Sequence, residues 1–136
     1  GKVVGVFDFD WAKIDLRLFD VCFAIVYSCC AWETLPDGSE DGDIRLHACQ
    51  TFLKGYQDKL IELKELSPLN ETEKKNFPAM IEAANNYLIN WCLSAYYDDV
   101  ENLNVYEYLA YLTHQVKMMH WIEDHKADLA KIADSI

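Results

Sequence analysis

Hydrophobic and polar positions divide the chain into one short apolar run and several long helical segments. From Lys2 to Phe9 the text is almost wholly apolar, Val3-Val4-Gly5-Val6-Phe7, and it delivers Asp8 and Asp10 to its end. Such a run predicts a buried β-strand with the two acids emerging on one face, two residues apart. Leu18 to Trp32 is apolar nearly all round and predicts a buried helix, with Asp20 in its first turn. Pro36-Asp37-Gly38-Ser39-Glu40-Asp41-Gly42 has the composition of a flexible acidic loop.

Asp43 is then placed to cap a helix running to about Leu66, with Leu46, Cys49, Phe52, Leu53, Tyr56, Leu60 and Leu63 on one face. Ser67-Pro68-Leu69-Asn70 ends it, and Asn70 with Glu73 has capping-box spacing for a short new helix. Pro78 predicts a restart or kink, after which Met80, Ala84, Tyr87, Leu88, Trp91, Cys92 and Ala95 form a core stripe. A break at 98–102 precedes a last long helix with Val105, Leu109, Leu112, Val116 and Met119 on its inner side. The fold class is therefore mainly α, one strand feeding about four to five helices. A lone strand cannot satisfy its own backbone, so its sheet neighbours are expected from a missing N-terminal lobe or from another copy of the chain.

Composition narrows the function classes. Half the residues are hydrophobic (51%) and 13% aromatic, which excludes a disordered chain. A length of 136 residues suffices for one domain with a real core. The net charge of −11 argues against a nucleic-acid partner, which needs a basic face. Cys22, Cys29, Cys30, Cys49 and Cys92 are odd in number, lie in apolar helical text and lack C-x-x-C spacing. They read as reduced, buried thiols of a cytoplasmic protein. Nothing at the start reads as a signal peptide, and the apolar helix is too short, and too interrupted by Asp20 and Ser28, to span a membrane.

Candidate chemistry centres on the acids. Two carboxylates at a strand end suit a hard divalent cation, and Mg²⁺ usually takes one or two carboxylates plus water and phosphate oxygens. A carboxylate within buried text, as expected for Asp20, needs hydrogen-bond donors close by. Asn85, Asn86 and Asn90 lie inside a helix although Asn is a poor helix former. Asn86 and Asn90, one turn apart, could bond a hydroxyl or amine, yet by 100° steps they lie opposite the core stripe, where solvated residues belong. His114 with Met118 and His120 with Asp124 are also one turn apart and read as ordinary helix neighbours, since two ligands do not make a metal site. The aromatic text Trp91 to Tyr97 and Tyr106, Tyr108 and Tyr111 could stack on a ligand, but reads first as core packing.

The string Gly5-Val6-Phe7-Asp8-Phe9-Asp10-Trp11-Ala12, followed by Leu18-Phe19-Asp20-Val21-Cys22-Phe23-Ala24, resembles the signature of the aminoglycoside/choline/homoserine phosphotransferase family, relatives of the protein kinases. The similarity continues through Phe52-Leu53-Lys54-Gly55-Tyr56, Pro68-Leu69-Asn70-Glu71-Thr72-Glu73 and Ala95-Tyr96-Tyr97-Asp98. The resemblance implies that Asp8 holds Mg²⁺ bridging the phosphates of ATP, and that Asp20 is a buried aspartate bracing the catalytic loop. Asp10 would be a water-mediated metal contact or an exposed neighbour. The C-terminal helices would wall the pocket of a small-molecule acceptor, with Asn86, Asn90 and Trp91 as its candidates.

The family's H-G-D-x-x-x-x-N catalytic loop does not occur, since His47, His114, His120 and His125 are none of them followed by Gly-Asp. The chain is thus expected to be a C-terminal lobe fragment, residues 1–12 a metal-binding strand and turn and 13–136 a helical acceptor-side subdomain, inactive on its own. Homoserine-kinase-like members are the nearest branch, but no Lys or Arg occurs between Asn76 and Val116 to meet an amino-acid carboxylate. That cation would have to be Arg17, Arg45, Lys117 or a residue from elsewhere. The alternative is a non-catalytic helical interaction domain of kinase-like ancestry.

Overall fold

Five helices carry the regular structure of the computed structural model, which describes residues 2–5, 15–64, 66–98 and 104–136. They are α1 (Arg17–Ser28), α2 (Leu46–Leu63), α3 (Glu71–Asp98), α4 (Val105–Asp124) and α5 (Lys126–Asp134). The mainly helical expectation is met. The strand is not: residues 2–5 have no regular structure, with Val3 82% and Val4 96% exposed, and the rest of the expected strand lies outside the described residues. Among the described residues nothing pairs with residues 2–5, and a strand needs a neighbour's backbone groups to hold it.

α3 is the spine, packing against α1, α4 and α5, while α2 lies against α5 and α1. Its start follows the expected capping box: the Glu73 N–H donates to Asn70 Oδ1 (3.0 Å) and the Asn70 N–H to Glu73 Oε2 (2.8 Å). The helix then runs unbroken through Pro78, so the predicted restart is corrected to one helix of 28 residues. Proline removes one ladder bond, and the burial of Phe77 and Ile81 on either side offsets that loss. The buried stripe is Phe77, Ile81, Ala84, Asn85, Leu88 and Cys92. Tyr87 and Trp91, expected in it, stand about two-fifths exposed.

α1 ends four residues before Trp32. The apolar text beyond it stays buried as extended chain: Cys30 forms an antiparallel bridge with Ile44, flanked by Ala31 N–H to Asp43 O and Arg45 N–H to Cys29 O, both 2.9 Å. A short apolar run fits either geometry, and here the returning chain supplies the partners. The segment between them, 31–43, is a strap of hydrogen-bonded turns rather than a flexible loop. Asp43 does not cap α2; its carboxylate accepts the Glu40 N–H (2.8 Å), and Arg45 precedes the helix. α2 stops at Leu63 because Lys64 turns left-handed (φ +56°). Below it, the buried Gln57 accepts the Leu69 N–H at 2.8 Å.

Arg17 joins three elements. Its guanidinium forks onto Glu73 with two bonds of 2.7 Å and also donates to the carbonyls of Ser67 (2.6 Å) and Pro68 (3.0 Å). α4 departs furthest from expectation: its buried face is His114, Gln115, Met118 and Ile122, whereas Val105, Leu109 and Val116 are exposed. Two polar residues on the inner face hide the true stripe. All five cysteines are free and buried, as expected. No described helix is long and apolar enough to cross a membrane.

Candidate aromatic acceptor cleft

The half-buried aromatics left over by the core gather where α1, α3, α4 and the strap meet. Tyr27 closes α1, Trp32 opens the strap, Trp91 leaves the α3 stripe, and Tyr108 and Tyr111 lie on the first turns of α4. Together with Glu107 and Gln115 they line a cleft of about 640 Å³, within the range of roughly 300–1,000 Å³ usual for small-ligand pockets. Trp32 meets Tyr111 edge-on (centroids 6.1 Å apart), Tyr111 meets Tyr108 likewise (6.3 Å), and Tyr108 lies tilted against Trp91 at 5.7 Å. These rings are walls rather than core.

The cleft's electrostatics have one sign. Glu107 accepts the Tyr111 hydroxyl at 3.0 Å, a bond that raises the phenol's pKa by favouring its protonated form. Burial raises that of Tyr27. Among the described residues no Lys or Arg lines the cleft. Ring faces are electron-rich, so a carboxylate among them suits an organic cation. Among the described residues the buried Oε1 of Gln115 meets no donor in the same region, and Asn85 Nδ2 donates to the Gln115 carbonyl at 3.0 Å.

The strap is clamped to α4 beside this cleft. Asp41 Oδ1 lies 2.5 Å from His114 Nδ1 and its Oδ2 2.6 Å from Lys117 Nζ. Burial raises the Asp41 carboxyl, but the two bonds outweigh it and hold the group below the usual carboxylate range. The imidazole lies flat against Trp32, centroids 3.8 Å apart and planes 7° from parallel. Gly42, at φ +97°, lets the backbone touch Lys117 and Met118.

Of the residues singled out from sequence, Asp8 and Asp10 lie outside the described residues. Asp20 is corrected: it is exposed, because the outer face of α1 looks into a second groove of about 360 Å³ that shares Tyr27, Leu88 and Trp91 with the cleft. Trp91 lines both grooves, whereas Asn86 and Asn90 are exposed and line neither. Asn85 is the buried asparagine of the three. Tyr108 and Tyr111 line the cleft instead of filling the core. Tyr27, Trp32, Glu107 and Gln115 went unnoticed; the acid one turn before Tyr111 was the available signal. Among the described residues no group of three or more His, Cys, Asp or Glu is placed to hold a metal. Compared with known proteins, the chain matches no family model, no curated protein and no solved structure.

Proposed function

We propose that this helical domain is the acceptor side of an ATP- and Mg²⁺-dependent phosphotransferase that phosphorylates a hydroxyl group of a small molecule. Two things support the reading: the D-F-D and L-F-D strings, and an aromatic cleft lined by a carboxylate and, among the described residues, by no cation, which carries the choice of acceptor. In this reading Asp8, with Asp10 beside it, would hold Mg²⁺ and so orient the phosphates of ATP. The described residues offer no metal site of their own, so the ion's place rests on those two acids. Asp20, exposed at the second groove, is open to accept donors from a catalytic loop.

The acceptor in this reading is an amino alcohol rather than an amino acid. Its ammonium group would lie among the rings of Tyr27, Trp32, Trp91 and Tyr111 near Glu107, whereas an α-carboxylate would meet Glu107 with no cation to offset the repulsion. The test is phosphate transfer from ATP by the full-length gene product to a panel of amino alcohols, amino acids and aminoglycosides. Asp8→Asn is expected to lower turnover by about a thousandfold or more, with the urea midpoint retained. Unchanged turnover would refute the metal assignment, and a preference for amino acids would refute the acceptor.

A further inference from the structure

The cleft has one wall that its own helices do not supply. Trp32 is carried on the strap, is 43% exposed and touches Tyr111 and Tyr27 only at tilted or edge-on angles. Among the described residues its flat support is the imidazole of His114, which is 2% exposed. That ring is in turn held in plane by the Asp41 carboxylate, while its Nε2 has no partner among the described residues. Resting on the reading of the cleft as an acceptor site, we propose that Asp41 is a positioning residue that acts through His114 to hold the Trp32 indole upright as a binding wall.

A carboxylate bonded to one ring nitrogen fixes both the rotation of the imidazole and its tautomer. Without it, packing alone holds the buried imidazole, no hydrogen bond from a described residue sets its rotation, and the flat face under Trp32 tilts. The second Asp41 oxygen is engaged by Lys117, which is half exposed and is not among the residues lining the cleft, so Lys117 secures the strap but not the indole. A carboxylate serving merely as a strut would make both partners matter equally. The ring stack makes His114 the one that counts.

The experiment follows the indole N–H signals of the chain by nuclear magnetic resonance and titrates it with ethanolamine at neutral pH. Trp121, stacked on His125 at 4.1 Å away from the cleft, is the internal control. Asp41→Ala is expected to move the Trp32 signal and leave Trp121 in place, and to raise the ethanolamine Kd about tenfold, the order of one lost cation–ring contact. Lys117→Ala is expected to leave Kd within about twofold. His114→Phe supplies a flat ring that needs no carboxylate, so in that background Asp41→Ala is expected to change neither signal nor Kd. This second pair keeps the test decisive if Asp41→Ala alone does not fold.

An unchanged Trp32 signal and Kd in Asp41→Ala, or an equal loss in the His114→Phe background, overturns the positioning role and leaves the acceptor reading standing. A wild-type chain that ignores ethanolamine, with the Trp32 signal still moved by Asp41→Ala, overturns the acceptor reading and keeps the ring support.

Discussion

Two glycines of the strap set up a controlled comparison. Gly38 (φ +89°) and Gly42 (φ +97°) both adopt backbone that L-residues resist, so Gly→Ala at either costs about 1–2 kcal/mol of strain. Their surroundings differ. A Cβ at Gly38 meets nothing within 4 Å, whereas one at Gly42 falls 2.6 Å from Lys117 Cβ and 2.9 Å from the Met118 backbone nitrogen. Helix backbone cannot yield, so the strap must lift, and overpacking of this kind adds about 1–3 kcal/mol. Gly42→Ala is therefore expected to cost about 3 kcal/mol in all, and Gly38→Ala about half of that. Urea denaturation followed by circular dichroism measures the difference: at a slope of about 1–3 kcal/mol per M, the two midpoints separate by roughly 1 M. Equal midpoints would show that the strap does not press on α4, and with that the clamp loses its basis.

Arg17→Ala is expected to destabilise by about 2 kcal/mol, less than its four bonds would sum to, because the guanidinium and Glu73 remain partly exposed. The bond from Arg17 holds the Glu73 carboxyl below its usual range, so the pair's contribution is full above the ordinary Glu value and lost as pH falls through the lower folded one. The gap between the urea midpoints of wild type and Arg17→Ala should accordingly narrow in acid, below the ordinary Glu range, to the share of the two carbonyl bonds, and be wider at pH 7. Equal spacing at both would refute the charge-based account. Gln57→Leu leaves the buried Leu69 N–H without its acceptor and is expected to cost about 1–3 kcal/mol by the same assay. A cost below about 0.5 kcal/mol would mean that the turn finds another partner.

Local chemistry was legible wherever it needed few residues. The Asn70–Glu73 box, the helical content and the five buried thiols follow from spacing and composition alone. What escaped depends on partners distant in sequence. Nothing in the text of α4 says that His114 and Gln115 face inward, because the acid and the asparagine that make this tolerable, Asp41 and Asn85, lie 73 and 30 residues away. Asp20 sits in apolar text yet is exposed, since α1 is amphipathic in a way its own composition blurs: the ring-bearing outer face of Phe19, Phe23 and Tyr27 reads as core. The cleft was half visible for the same reason. Aromatic text announces that rings will meet, and only the tertiary arrangement decides whether they close a core or line a groove.

α3 spans about 42 Å at 1.5 Å per residue, from the Arg17–Glu73 fork at its first turns to Trp91 and Cys92 beside the cleft. An uninterrupted rod of that length behaves as a lever arm. Glu73 and Trp91 are about 27 Å apart along it, so a tilt of about 5° about the Glu73 end would displace Trp91 by roughly 2.4 Å, enough to open or shut a slot sized for a small ammonium. Substitutions at the remote fork should thus alter which small molecules the cleft admits while touching none of them.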